Sequence, residues 1–165
     1  MRLRNWAFLL TLVALGGCAT YKHVPDGYTG PVAQLGDSAV QLSMGKGELY
    51  YVEAINGNPV ENARNATGRA SYGRGFSLTT SIVWRPVKAE LMRLKLVGTH
   101  VTAAPIHEIA SRAIGEFFSV DGEVEFSPEK GKEYRVVGVL TKESAEVWIQ
   151  DDETKLPVTK KVIAK

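Results

Sequence analysis

The 165-residue sequence holds a single cysteine, Cys18. Without a second thiol it can form neither an internal disulfide nor a thiolate metal cage, so its stability has to come from packing. It also lacks a charge excess in its body. The formal charge of +2 comes from 20 basic against 18 acidic side chains, and Arg2 and Arg4 near the N-terminus account for the difference. That balance excludes the clustered Lys and Arg with which nucleic-acid binders neutralise phosphates. A permanent membrane-spanning segment is missing as well. The apolar run from Trp6 to Leu15, interrupted only by Thr11, is roughly half of the about 20 residues needed to cross a bilayer. Histidine is scarce, with only His23, His100 and His107.

What the N-terminus does carry is the anatomy of a signal peptide: a basic head, the short apolar run, and the small-residue exit Gly16-Gly17. Leu15-Gly16-Gly17-Cys18 resembles the bacterial lipobox. That resemblance implies cleavage between Gly17 and Cys18, removal of residues 1–17, and a thioether-linked diacylglycerol on Cys18. In many bacteria a further fatty chain such as palmitate is added to the new amine. Two chains already anchor a protein stably. An ordinary secretory signal with a cysteine beside its cleavage point is the alternative. Inner-membrane retention is usually signalled by Asp after the lipidated cysteine, and here the residue is Ala19. The resemblance therefore implies an outer-membrane anchor facing the periplasm.

Residues 18–31 contain Pro25, Asp26-Gly27 and Gly30-Pro31 with little periodicity, which predicts a short tether. Residues 32–165 read as one β-rich domain. Leu49-Tyr50-Tyr51-Val52 suits a pleated strand, Asn56-Gly57 is a strong hairpin signal, and Pro59 keeps the return through Val60 at an edge. Phe76, Leu78, Thr80, Ile82 and Trp84 alternate with Ser77, Thr79, Ser81 and Val83, predicting a half-buried strand over 76–84. Further strands are expected at 88–97, near Val124-Phe126, over Tyr134–Leu140, around Val147-Trp148-Ile149 and from Val158 to Ile163. Trp84 and Trp148 are expected in the core. This spacing predicts a mainly β domain, a single antiparallel sandwich or open barrel. One short helix near 106–116 is favoured by Ile106, Ile109, Ala110, Ala113, Ile114 and Phe117, with an extended strand as the alternative. Gly30-Pro31-Val32-Ala33-Gln34-Leu35, Tyr134–Leu140 and Ser144–Asp151 look like small bacterial envelope lipoproteins with an immunoglobulin-like or prealbumin-like β domain, a resemblance that brings no catalytic residues with it.

No catalytic signature emerges. His107-Glu108 begins a zinc-protease pattern, but Ser111 stands where its second histidine belongs. Asp151-Asp152-Glu153 lacks the ligand alternation of a calcium loop. Ser71, Ser77, Ser111 and Ser144 lie outside any nucleophile elbow. Gly73-Arg74-Gly75 does not join a strand to a helix as a phosphate-cradling loop would. Neither a metal nor a cofactor is expected. The most suggestive surface is a long loop from Glu61 to Gly75, where Arg64, Arg69 and Arg74 recur every five residues and could recognise carboxylate or phosphate groups. The expectation is a lipid-anchored, non-catalytic protein for binding or assembly at the periplasmic membrane surface. Its partners would be the membrane itself, through Cys18, and an envelope protein, peptidoglycan or lipopolysaccharide. A cell-wall-acting enzyme or enzyme inhibitor, and a small-ligand carrier, are the alternatives.

Overall fold

The computed structural model describes residues 21–104, 108–109, 112–113, 115 and 117–164. Gly17, Cys18, His107 and Ser111 lie outside the described residues. In chain order the elements are β1 (Val32–Gly36), β2 (Ser38–Gln41), β3 (Lys46–Ile55), β4 (Asn58–Pro59), α1 (Ala63–Ser71), β5 (Trp84–Lys88), β6 (Met92–Thr102), β7 (Ser119–Phe126), β8 (Glu133–Leu140), β9 (Ala145–Asp151) and β10 (Val162–Ile163).

They build two sheets packed face to face, a β-sandwich rather than a closed barrel. One sheet runs β10-β9-β8-β1-β5, the other β2-β3-β6-β7 with β4 on the flank of β3. The ladders are antiparallel except for β1 with β8, which pair in parallel over three residues. Leu35, Val52, Leu94, Leu96, Val124, Val136 and Ile149 fill the space between the sheets. A smaller cluster of Leu49, Tyr51, Ala63 and Val97 forms on the far side of β3 and β6, beneath α1. β3 is therefore buried on both faces, which is why Leu49-Tyr50-Tyr51-Val52 is a continuous apolar run where a half-exposed strand would alternate. The hairpin after it forms at Asn56-Gly57, whose φ angles of 50° and 81° are those of a type I′ turn.

The region read as a loop from Glu61 to Gly75 is a helix over most of its length. Asn62 caps it, its side-chain oxygen accepting from the backbone N–H of Arg64 at 3.1 Å and of Asn65 at 3.2 Å. Replacing Asn62 with Ala is expected to cost about 1 kcal/mol, roughly 3 °C in thermal unfolding. An unchanged melting temperature would show that the helix is held by packing alone.

The strand expected at 76–84 begins only at Trp84. Residues 77–83 belong to no strand. Leu78 N donates to the Met44 carbonyl and Val83 O accepts from Asp37 N, and between them the backbone is held by two hydroxyls one helical turn apart. Ser71 Oγ accepts from Thr79 N at 2.9 Å and Thr67 Oγ1 accepts from Ser81 N, also at 2.9 Å. The helix face thus substitutes for a ladder, so the alternating pattern here marks contact with α1. Neither tryptophan enters the core. Trp84 is 38 % exposed, lying over Gly36, and Trp148 is half-buried with Lys161 above its ring. Within the expected helix at 106–116, Glu108, Ile109, Arg112 and Ala113 are helical, and the residues between and around them lie outside the described set.

Candidate functional site: a cavity beneath the N-terminal segment

The chain passes from one sheet to the other at Asp37, between β1 and β2. Its carboxylate is fully buried. β2 starts opposite Tyr50, so Val52 has no β2 residue to pair with, and its N–H donates to Asp37 at 3.3 Å. Ala63 N, the first helical donor of α1, reaches the other oxygen at 2.7 Å. Arg85 Nη2 lies 2.7 and 2.8 Å from the two oxygens and also donates to the Glu61 carbonyl at 3.1 Å. One carboxylate thus ties together both sheets and the positive end of the helix dipole. Burial pushes its pKa up to about 6, and Arg85 with the two backbone donors pulls it back only in part.

Next to this node the N-terminal segment folds onto the body. The stretch read as a tether is docked from Tyr21 onward. His23 is only 5 % exposed, Lys22 pairs with Asp26, and Lys88 lies 5.3 Å above the Tyr28 ring. Burial lowers the His23 pKa, nearby Lys88 lowers it further, and Glu90 opposes both. Between this segment and β5 lies a cavity of about 630 Å³, walled by Tyr21, His23, Ile55, Val60, Trp84 and Arg85 among others. That volume falls in the range of small-molecule sites. His23 Nε2, Arg85 Nε and Arg85 Nη1 are buried without hydrogen-bond partners, an arrangement rare enough in folded proteins to require a reason.

No family model, curated protein or solved structure matches this chain. The site has to be read from its own chemistry.

The three arginines singled out in the sequence are not gathered. Arg64 lies near the Tyr51 hydroxyl, where its charge opposes the burial that raises that tyrosine's pKa, Arg69 is paired with Glu61 at 2.5 Å, and Arg74 is exposed beyond the helix end. Arg64 and Arg69, five residues apart, project about 140° from each other around α1. Two carboxylates of the acidic triplet are already engaged within the fold. Asp151 accepts from Glu153 N, Thr154 N and the Thr154 hydroxyl, while Asp152 binds Arg135 and Lys155. Among the described residues no group of three His, Cys, Asp or Glu side chains is placed to hold a metal ion.

His100 does meet a carboxylate. It stands at the wall of a second cavity of about 410 Å³, with Nε2 3.3 Å from Glu48 Oε1. Its other nitrogen, Nδ1, accepts from Phe118 N at 3.2 Å, which fixes the Nε2–H tautomer. Tyr50 donates to the second oxygen of Glu48 at 2.6 Å. Burial works to raise the Glu48 pKa, but the bonds from His100 and Tyr50 outweigh it and the value falls. Both imidazole nitrogens are engaged within the fold, so the trio pins β3 to β6 and to the chain entering β7.

Sequence reasoning missed the Asp37, His23 and Arg85 group because its members are scattered and none belongs to a motif. The available signal was Arg85 preceding Pro86 in an apolar stretch. An edge strand tolerates that proline, and the arginine, pointing inward, needs a buried acid.

Proposed function

We propose that this chain is a lipid-anchored envelope protein whose β-sandwich binds a ligand or partner at the periplasmic surface of the outer membrane, without chemistry of its own. The observation that carries the reading is the position of the docked segment. Tyr21 stands three residues after Cys18, a span of at most about 10 Å of extended chain. With Cys18 lipidated, the cavity walled by Tyr21, His23 and Arg85 lies at the headgroup layer of the same bilayer, in place of a domain swinging on a dozen-residue tether. The small-ligand alternative draws support from the same cavity and becomes part of this reading. The space between the two sheets, filled by the core, is not where a ligand would go.

Intact mass and membrane fractionation of the wild type beside Cys18→Ala, expressed in a Gram-negative host, test the anchor. The wild type should carry acyl mass and sediment with outer membranes, and the variant should be unlipidated and soluble. A wild type that is soluble and unlipidated would leave residues 1–17 as a secretion signal only and remove the membrane from the reading.

A further inference from the structure

The N-terminal cavity asks for a particular ligand chemistry. Arginine nitrogens only donate hydrogen bonds, so the free Nε and Nη1 of Arg85 need acceptors. The Tyr21 hydroxyl lies 3.4 Å from Nδ1 of His23. With that hydroxyl donating, the ring proton sits on Nε2, which becomes a third donor. His23 and Arg85 are 5 % and 9 % exposed, and both line the same cavity. The remaining wall is largely apolar: Ile55, Val60, Val83, Trp84 and Pro86. The two rim carboxylates are each offset by a cation of their own, Asp26 by Lys22 and Glu61 by Arg69.

Donors at one end and an apolar wall beside them define an amphiphile with an acceptor head. We propose that this cavity binds a single-chain amphiphile carrying an anionic, acceptor-only head, a carboxylate or a phosphate monoester, with the head at Arg85 and His23 and the chain against Val60 and Trp84. The proposal deepens the binding reading and rests on it, but not on the lipid anchor. The three nitrogens are closed off from bulk water, so the head enters only as the wall between His23 and Arg85 opens, with His23 remaining in the site.

The test uses the full chain bearing Cys18→Ala, labelled with ¹⁵N and titrated with decanoate, with decyl phosphate, with decanol, and with vesicles of phosphatidylglycerol or phosphatidylcholine. The expected result is a saturable shift of the Arg85 Nε–H and His23 ring-nitrogen signals, accompanied by Lys22 and Val24. Decanol should bind at least tenfold more weakly. His23→Phe, which keeps an aromatic ring in the same space, should weaken binding about tenfold while the spectrum stays folded. Arg85→Lys should weaken it more, and His23→Phe carries the test if that variant fails to fold. Saturation by decanoate or decyl phosphate assigns a free amphiphile. The same shifts produced only by phosphatidylglycerol vesicles would assign a two-chain bilayer lipid and overturn the single-chain reading. No shift at Arg85 and His23 in any arm, decanol binding as tightly as decanoate, or His23→Phe binding like the wild type would each overturn the proposal. Because Cys18 is already replaced, none of these outcomes depends on lipidation, and the fractionation experiment fails or succeeds separately.

Discussion

Replacing Arg85 with Met is expected to destabilise the fold by about 3–5 kcal/mol at pH 7. Most of this is the cost of burying Asp37 with no cation beside it and only two backbone donors, whether it keeps its charge or takes up a proton. The double variant Asp37→Asn with Arg85→Met should recover a large part of the loss, since it removes the stranded charge while the amide still accepts from Ala63. Chemical denaturation of the two variants beside the wild type checks this. A double variant no more stable than Arg85→Met would mean that the packing of the arginine stem, and not the charge, carries the stability.

The same pair sets a pH dependence of known sign. Asp37 has a folded pKa near 6 against an ordinary 3.8, so between those values the native state holds the proton that the unfolded chain has released. Stability from this group is fully present below about pH 4 and is lost as pH rises through 6, by about 3 kcal/mol in all. His23 works the other way. Its pKa is lowered from 6.5, so its contribution is present above 6.5 and is lost as pH falls below it. The two oppose each other in the wild type, and the informative quantity is the difference between the stability profiles of wild type and Asp37→Asn. That difference should change by about 3 kcal/mol between pH 3 and pH 7. A difference independent of pH would place the Asp37 pKa near its ordinary value in the folded state.

The fold was legible where the chain signals locally. The apolar run of β3, the Asn56-Gly57 turn and the alternation of β8 and β9 each follow from nearest neighbours along a strand, and they indicated a mainly β domain, with sandwich and open barrel both left open. What could not be seen was anything made by partners distant in sequence. Ala63–Ser71 has Gly68 and Thr67 in its middle and weak helix propensity. It forms because Asn62 and Asp37 satisfy its first N–H groups and because Ala63 packs on Leu49 and Tyr51. The alternation over 76–84 was real, but its partners are two hydroxyls of that unforeseen helix, so a correct pattern led to a wrong element. Trp84 was expected in the core, on the apolar face of the strand over 76–84. It lies outside, over Gly36, and the guanidinium of Arg135 stacks on it at 4.9 Å. The candidate site was harder still, since Asp37 and Arg85 are 48 residues apart and His23 falls in a stretch with no periodicity at all.

Gly138 is the glycine whose loss should cost most. It lies on the inward face of β8, and an added Cβ would run into the Tyr50 ring and the Glu146 carbonyl of β9. The ring has nowhere to go. Its hydroxyl is held by Glu48, which His100 holds in turn, and on its other side Gly98 already packs against it, with 3.1 Å between an added Cβ and Tyr50 Cδ1. Burial and the neighbouring Glu48 carboxylate raise the tyrosine pKa, so the phenol stays neutral and its hydrogen bond persists across the working pH range. Gly138→Ala therefore forces a backbone shift in β8, and a loss of about 3 kcal/mol is expected, roughly 10 °C in thermal unfolding. Gly98→Ala, where only side-chain atoms are approached, should cost about 1 kcal/mol. Combining Gly138→Ala with Tyr50→Leu should return part of the loss and not all of it, because the clash with the Glu146 carbonyl remains. If Gly138→Ala melts like the wild type, the two sheets are more loosely joined at Tyr50 than this packing requires, and the Tyr50, Glu48 and His100 chain does not hold the Tyr50 ring against β8.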